Sequence, residues 1–213
     1  RHPLASTNIL KIEKLAFERN DALLFEPVSF ELNSGEALHI EGENGAGKTT
    51  FFQLMINLLE PSAGEIHFRG QNFGDCIYEY LSDVLFIGHQ SAVKGALSVE
   101  ENLRWMSLAN TSSEEITSAL RSVGLEHHAS MPCYRLSAGQ QRRVALARLM
   151  TTSASLWYLD EPFAALDKQG VEFIEDRMQS HLDQGGAIVF SSHQDLVKTT
   201  TRSYRLNPCR ELV

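Results

Sequence analysis

Phosphate binding is the chemistry suggested by eight consecutive residues, Gly42-Glu43-Asn44-Gly45-Ala46-Gly47-Lys48-Thr49. They match the pattern G-x-x-x-x-G-K-[ST], in which a glycine-rich loop directs several backbone N–H groups into one small volume. The Lys48 ammonium would reach the β- and γ-phosphates of a nucleotide, and the Thr49 hydroxyl would ligate Mg²⁺. The neighbouring Thr50 is expected to line the same site. The stretch therefore predicts a site for a polyphosphate with a magnesium ion.

The elements on either side of this loop must be a strand and a helix. The run Ala37-Leu38-His39-Ile40 follows the turn-like Asn33-Ser34-Gly35, which favours a buried strand. From Lys48 to Glu60, apolar side chains recur as expected of a mostly buried helix, and its positive dipole end would favour an anion at the loop. The alternative is a glycine turn that matches by chance, and this context makes it the weaker interpretation.

A second group of reactive side chains is the acid pair Asp160-Glu161, which follows the apolar run Leu156-Trp157-Tyr158-Leu159. An acid at the end of a strand beside a phosphate loop can hold Mg²⁺ through its water shell, and this role suits Asp160. Glu161 then stands where it could polarise an attacking water as general base. The alternative is an acid pair without a catalytic role.

A helix start is indicated by Ser137 and Gln140, which form a capping box before a helix expected to run to about Met150. The same helix N-terminus could direct its N–H groups and the Ser137 hydroxyl at a phosphate. On these residues alone, helix initiation is the favoured explanation.

Short apolar runs along the chain predict an α/β fold with a mostly parallel sheet. These runs are Leu23–Phe25, Ala37–Ile40, Val84–Ile87, Leu156–Leu159 and Ala187–Phe190. The later runs do not alternate with polar residues, which is typical of parallel strands covered on both faces. The stretches Asn8–Phe17 and Leu23–Leu32 alternate better and favour antiparallel strands, a character that Ile66-His67-Phe68 continues.

From about residue 91 to 131, helix starts replace the strand-like runs. Ser98 and Ser112 each begin a capping box, and apolar residues follow at helical spacing. We interpret this stretch as a helical subdomain inserted into a catalytic core of about residues 8–90 and 132–213. Residues 1–213 would then form one domain.

The composition argues against a general nucleic-acid surface, because the net charge is −8 and phosphate contacts need clustered Lys and Arg. Arg142, Arg143 and Arg148 form the notable basic cluster, which we expect to be a solvated helix face. No run of about 18 apolar residues occurs, so the chain itself is not expected to cross a membrane.

Beyond these stretches, the chain resembles the nucleotide-binding subunits of ATP-binding-cassette (ABC) transporters from about Asn8 to its end. The matching elements, in the family's order, are Walker A at Gly42–Thr49, the Q-loop at Gln90, the signature at Leu136–Gln140, Walker B at Leu156–Asp160, the catalytic Glu161, the D-loop at Ala164–Asp167 and the switch His193. The resemblance implies an ATPase with a P-loop core, an antiparallel β subdomain and an inserted α-helical subdomain. It also implies that Gln90 takes part in metal binding and catalysis, with His193 near the γ-phosphate.

Two departures from the family pattern concern nucleotide contacts. Ala138 stands where the family commonly has glycine, which leaves Ser137 and Gly139 as the expected contacts in the signature. The aromatic residue that stacks on adenine is usually tyrosine, and Phe17 is the best candidate for it here. Packing of Phe17 in the core is the alternative.

The resemblance also implies partners. The phosphate loop and the signature face different directions in this family, which implies a head-to-tail homodimer with two ATP molecules sandwiched between the copies. A separate membrane-spanning permease subunit would dock on the helical subdomain and near Gln90. The chain would thus be a peripheral protein on the cytoplasmic face of the bacterial inner membrane. Trp105 and Met106 could anchor such a subunit, although the core of the helical subdomain is their expected place.

Within the family, the chain is most similar to ATP-binding subunits of the haem exporter of cytochrome c maturation. This resemblance is carried by the compact length and by the stretches Ile87–Gln90, Leu136–Leu149 and Leu159–Phe163. It leaves two outputs open, haem export and release of a haem-loaded chaperone. The alternatives are the ATPase of another small transporter, for lipoproteins or drugs, and a non-transport ABC ATPase.

Overall fold

The computed structural model describes residues 7–107, 110–194 and 196–209. In these residues the strands are β1 (Asn8–Ala16), β2 (Glu18–Arg19), β3 (Ala22–Leu23), β4 (Val28–Asn33), β5 (Ala37–Glu41), β6 (Ala63–Phe68), β7 (Gln71–Asn72), β8 (Val84–Ile87), β9 (Leu156–Asp160), β10 (Ala187–Ser191) and β11 (Thr201–Arg205). The α-helices are α1 (Lys48–Met55), α2 (Ile77–Ser82), α3 (Val99–Met106), α4 (Ser113–Ser122), α5 (Ala138–Leu146) and α6 (Lys168–Asp183). No helix in this part of the chain combines the length and apolar character needed to span a membrane.

A five-stranded parallel sheet, in the order β11-β5-β10-β9-β8, positions the candidate site. Strands β9 and β10 are buried along their whole length, as expected of strands covered on both faces. Parallel pairing places Ser191 opposite Asp160 at the carboxyl ends of β10 and β9. The predicted parallel sheet is confirmed, and it gains β11 as an edge strand that the sequence did not indicate.

The antiparallel sheet has the order β4-β1-β6-β7, which confirms the prediction for the N-terminal part of the chain. The predicted strand over Leu23–Phe25 is wrong in its bounds. Only Leu23 of that run belongs to β3, and Phe25 makes an isolated bridge to Pro208. Phe25 is fully buried under the phosphate loop, so core packing rather than strand pairing explains its apolar character.

Three apolar clusters hold these layers together. The largest joins the antiparallel sheet, α1 and one face of the parallel sheet, and includes Phe51 and Phe52 of α1. The second covers the other face with α5 and α6, around Trp157 and Met178. The third joins α3 and α4 and continues into α5 through Val144. The apolar core of the predicted helical subdomain therefore extends beyond residue 131.

The predicted helix starts agree with the structure, because Ser98, Ser112 and Ser137 are N-caps with both hydrogen bonds of a capping box. The predicted end of the first helix is wrong, because α1 stops at Met55 instead of Glu60. Asn57 has a positive φ of 57°, and the Leu58 amide turns back to the carbonyl of Gln53. The predicted end near Met150 is correct only if the 3₁₀ turn Ala147–Met150 after α5 is included.

Candidate functional site

The phosphate loop connects β5 to α1, as its pattern predicts. Gly45 and Gly47 have φ angles of 87° and 96°, a region that glycine enters at little cost. A Cβ at Gly47 would also lie 2.8 Å from the Phe25 ring, so a larger residue would clash with the core. The Lys48 ammonium donates to the carbonyl of Gly42 at 2.6 Å and, more weakly, to that of Glu43 at 3.4 Å. The Lys48 side chain thus folds back over the phosphate loop.

Asp160 lies beside this loop, at the end of β9. In the sheet, β10 separates β9 from β5, the strand that leads into the loop. The Thr49 hydroxyl donates to Asp160 Oδ2 at 3.2 Å, and the Ser191 hydroxyl donates to Oδ1 at 2.7 Å. The Asp160 side chain is buried, and each of its carboxylate oxygens is held by a neutral hydroxyl donor. The sheet topology therefore brings the predicted metal-binding threonine and aspartate into contact across 111 residues of sequence.

Glu161 turns away from the strand with a positive φ of 52°. Its N–H donates to Ser191, to the carbonyl at 3.2 Å and to the hydroxyl at 3.1 Å. One carboxylate oxygen, Oε1, is buried and accepts no hydrogen bond within the described part of the chain. The His193 N–H donates to the other oxygen at 3.3 Å, and the His193 ring Nε2 lies 3.5 Å from Oε1. Glu161 is also a lining residue of the cavity beside the phosphate loop.

A cavity of about 410 Å³ collects most of the predicted residues. It is lined by Arg19, Leu24, Glu43, Asn44, Gly45, Gly47, Lys48, Thr49, Thr50, His89, Asp160, Glu161 and His193. Gly42 and Ala46 support the loop from outside the lining, and Ala46 is buried. The volume is within the usual range of small-molecule sites. The phosphate loop, the two acids and the switch histidine therefore share one site.

Two predicted contacts lie outside this cavity. Gln90 is exposed and is not part of the lining, whereas the preceding residue His89 is. Phe17 is half-buried and packs against the largest apolar cluster, in agreement with the core alternative. Arg19 and Leu24, from the short β2–β3 hairpin, line the cavity instead. No sequence pattern assigned Arg19, Leu24 or His89 to the site, because only the fold brings these residues to the cavity.

The signature lies apart from the phosphate loop. Ser137 is exposed, and its hydroxyl accepts the Gln140 N–H at 3.2 Å as the cap of α5. Gly139 packs closely on the D-loop, since a Cβ there would lie 2.9 Å from the carbonyl of Ala165. Neither Ser137 nor Gly139 lines the cavity. A single chain thus presents the cavity and the signature as two separate surfaces.

The D-loop ends at the N-cap of α6. Asp167 accepts the Gly170 N–H at 2.9 Å and pairs with the Arg143 guanidinium at 2.9 Å. The Gly170 N–H contributes most to lowering the pKa of Asp167, with Arg143 adding to it. The signature helix and the D-loop are therefore joined by close packing and by an ion pair.

The expectation that Arg142, Arg143 and Arg148 form a solvated helix face is wrong for Arg142. Its side chain is only 3% exposed and donates hydrogen bonds to carbonyls at the ends of β8 and β9. Burial lowers the pKa of Arg142, while the charges of Asp160 and Glu161 oppose that shift. Arg148 is also largely covered, and burial lowers its pKa as well. Basic residues beside a signature motif can thus be internal parts of the site.

The donor set between Thr49 and Asp160 fits Mg²⁺. Both side chains offer oxygen atoms, which are the ligands preferred by this hard cation. Among the described residues, the buried Asp160 carboxylate accepts hydrogen bonds from neutral hydroxyls and from no cationic side chain, so a divalent ion would supply positive charge there. Gln90, the third predicted ligand, does not face this position in the structure.

Comparison with known proteins decides the family. Residues 25–164 match the family model described as ABC transporter. The chain belongs to the ABC transporter family. The matched range contains the phosphate loop, the signature and both acids of the site. This ABC protein is an ATPase.

Its relatives include proteins of known description. It is 44% identical over 200 residues to the cytochrome c biogenesis ATP-binding export protein CcmA of Pseudomonas putida, covering 93% of this chain and 95% of that protein. Among solved structures, cbiO1 of Clostridium perfringens, part of the ABC transporter complex cbiONQ, has a TM-score of 0.75 at 26% identity over 94% of this chain and 85% of its own. A dimeric ATP-binding cassette bound to ADP and Pi, MJ0796, has the same TM-score at 23% identity, covering 87% and 88% of the two chains, and shows the fold.

Proposed function

We propose that this ATPase drives an export ABC transporter of cytochrome c biogenesis, with haem as the exported cargo. The observation that carries the proposal is the 44% identity to CcmA over nearly the full length of both chains. At this level the whole arrangement, including the surfaces that meet other subunits, is expected to be shared. Haem is proposed as cargo because c-type cytochromes need it on the far side of the membrane. ATP would drive either its export or the release of a haem-loaded chaperone.

In the ATP site, we assign roles to the residues that share the cavity. The phosphates would be held by Lys48, by Thr50 and by the backbone N–H groups of residues 42–47, as in other phosphate loops. Thr49 and Asp160 would hold Mg²⁺, which when bound neutralises phosphate charge during hydrolysis. Glu161 would accept a proton from the attacking water, because its Oε1 is buried and without a hydrogen-bond partner in the described part of the chain. His193 would orient that carboxylate from 3.5 Å and contact the γ-phosphate.

A complete site requires a second copy of the chain. Ser137 and Gly139 lie outside the cavity on an exposed helix start, so they can bind the γ-phosphate only of an ATP held by the partner. The exposed position of Ser137 supports this arrangement, since a cap alone does not require a free surface. Gln90 would enter the ATP site when the dimer closes. Phe17 would remain a core residue near the part of the site that binds adenine.

The movement that closes the dimer would be transmitted to a membrane-spanning permease subunit of the same transporter. We propose that residues 91–131 form the subdomain that meets it, inserted into a core of residues 8–90 and 132–213. Trp105 was expected in the subdomain core, but it is 60% exposed and lies beside Lys94, whose ammonium is 3.7 Å from the ring centre. Met106 packs partly against that core. An exposed Trp105 suits an anchor for the permease, which would hold this chain at the cytoplasmic face of the inner membrane.

Complementation tests the cargo. Expression of this chain in Pseudomonas putida lacking its own CcmA should restore covalent haem in c-type cytochromes, measured by haem staining of membrane proteins. The Lys48→Ala variant is the matched control and should restore none. Native mass spectrometry of the membrane complex should then find the permease of the cytochrome c system. Co-purification with a lipoprotein or drug permease, without restoration of cytochromes, would contradict the proposal.

A further inference from the structure

Arg142 makes an unusual set of hydrogen bonds near the site. It lies on α5, and its guanidinium donates to four backbone carbonyls. Nη1 reaches Gly88 at 2.6 Å and His89 at 3.4 Å, and Nη2 reaches Asp160 at 3.1 Å and Glu161 at 2.8 Å. One cation thus connects the signature helix with the carboxyl ends of two strands.

Such an arrangement is costly for a merely structural residue. The guanidinium is buried against neutral acceptors, and its Nε is without a hydrogen-bond partner in the described residues. Burying a charge without a directly bonded counter-ion disfavours folding, and apolar residues of similar volume often serve a core equally well. The nearest compensation comes from the negative charges of Asp160 and Glu161, the acids of the ATP site.

The contact with Glu161 has a specific mechanical effect. Glu161 adopts a left-handed backbone with φ of 52°, which is unfavourable for a residue with a Cβ. Its N–H is held by Ser191 and its carbonyl by Arg142, so the peptide groups on both sides of its Cα are fixed. These two bonds set the direction of the Cα–Cβ bond, from which the carboxylate extends.

We infer that Arg142 is a positioning residue for ATP hydrolysis, which holds the Glu161 backbone so that the carboxylate faces the γ-phosphate region. Because Arg142 lies five positions after Ser137 on the same helix, it also ties the signature to the carboxylate. Its bonds to Gly88 and His89 extend the connection to the segment that leads to Gln90. The inference rests on the proposed role of Glu161 as general base.

The Arg142→Met variant tests this role. It keeps an unbranched side chain of comparable length but removes all four hydrogen bonds. The expected result is a kcat lowered roughly tenfold to a hundredfold, the scale of a displaced catalytic group, with KM and ATP affinity changed by about twofold at most. ATP binding should persist because the hydrogen bonds that Arg142 makes among the described residues go to carbonyls outside the phosphate loop. Circular dichroism and thermal unfolding would establish that the variant is folded.

Arg148→Met is the matched control. Arg148 lies in the 3₁₀ turn after α5 and is also largely buried, and its described hydrogen bond goes to the carbonyl of Phe86 on β8 at 2.9 Å and not to Glu161. The Arg148→Met variant should have a lower free energy of unfolding than the wild type, without a comparable fall in kcat. Arg142→Lys should recover part of the lost kcat, because its ammonium can reach some of the four carbonyls.

A double-mutant cycle separates positioning from other effects. In a Glu161→Gln background, Arg142→Met should lower hydrolysis no further, because the group it positions is already lost. A full additional loss, or a normal kcat in folded Arg142→Met, would overturn the inference and leave Glu161 as the base. Normal hydrolysis by Glu161→Gln would instead refute the proposed base itself. Failure of both Arg142→Met and Arg142→Lys to fold would show a structural role and also overturn the inference.

Discussion

The Lys48 ammonium donates to the carbonyl of Gly42, 2.6 Å away at the other end of the same loop. This bond closes the loop around the volume that phosphates would fill, so the lysine both shapes the site and supplies its positive charge. Bound phosphate oxygens would compete with the Gly42 carbonyl for the same ammonium. Charge-assisted bonds to phosphate are stronger than bonds to a neutral carbonyl, so the Lys48 ammonium should bind the phosphate in place of the Gly42 carbonyl.

Lys48→Ala should abolish productive ATP binding and leave the fold intact. The variant loses the point charge that would contact the β- and γ-phosphates, whereas truncation of one half-buried side chain at the start of α1 should not unfold the protein. Nucleotide binding by titration calorimetry and circular dichroism on the same sample would measure both effects. Lys168→Ala is the matched control, since Lys168 is exposed and makes only a weak ion pair with Glu172 at 3.9 Å. An unchanged affinity for ATP with Mg²⁺ would remove Lys48 from the site.

Glu161→Gln should bind ATP but hydrolyse it roughly a hundredfold more slowly or worse, the usual scale for loss of a general base. The amide keeps the shape of the side chain and its place beside His193, so the nucleotide contacts should survive. Slow hydrolysis should also trap the closed dimer, which size exclusion with ATP and Mg²⁺ would detect.

Glu172→Gln, on the exposed face of α6, serves as the control for removing one negative charge. Near-normal turnover by Glu161→Gln would transfer the role of base to another group. His193 would then be the next residue to test, because its ring lies 3.5 Å from the Glu161 carboxylate.

The sequence predicted the chemical groups of the site better than their surroundings. Lys48, Thr49, Asp160 and Glu161 were found because each belongs to a short pattern whose backbone geometry is local. Pairing of β9 with β10, and of β10 with β5, then brings these groups together. The contact of Asp160 with Ser191 was missed, because a serine at the end of a strand carries no pattern of its own.

Residues whose environment depends on distant parts of the chain were predicted least well. Arg142 was expected in solvent because a cation on a polar helix is usually exposed. Its burial depends on the ends of β8 and β9, which lie 54 and 18 residues away in sequence. The edge strand β11 was missed because Thr201–Arg205 is mostly polar, and its conformation depends on its pairing with the distant strand β5.

His181 should make stability depend on pH between about 6.5 and 4. Its ring stacks on Trp157 at 3.7 Å, and Nε2 hydrogen-bonds the carbonyl of Ser155 at 3.1 Å. Burial is the main cause that lowers the pKa of His181 from 6.5 to about 4. The unfolded chain therefore binds a proton first as the pH falls, so the folded state loses stability from about pH 6.5 down to about pH 4.

The loss from this one group should reach about 3 kcal/mol at most, since each pKa unit corresponds to about 1.4 kcal/mol. Urea unfolding at several pH values, compared between the wild type and His181→Phe, isolates it from the carboxylates that titrate in the same range. His127→Phe is the control, because His127 is exposed. Equal pH dependence in the wild type and His181→Phe would show that the buried ring is not responsible.

Ser137→Arg should separate binding of ATP from its hydrolysis. Ser137 caps α5, and loss of that cap should cost only about 1 kcal/mol of stability. Because Ser137 lies outside the cavity, ATP binding to the monomer should be almost unchanged. Dimer-dependent hydrolysis should nevertheless be abolished, since a bulky cation would occupy the place of the partner's γ-phosphate. ATP titration and steady-state hydrolysis on the same preparation measure the two effects.

A mixture of Ser137→Arg with Lys48→Ala gives the decisive comparison. A mixed dimer contains one composite site formed by the intact phosphate loop of one chain and the intact signature of the other. Activity should therefore return in the mixture, up to about a quarter of the wild-type rate if each site acts independently and the chains pair at random. Ser112→Arg is the matched control, because Ser112 caps α4 with the same capping box and should leave hydrolysis unchanged. Normal hydrolysis by Ser137→Arg alone would mean that the signature does not act across a dimer in this protein.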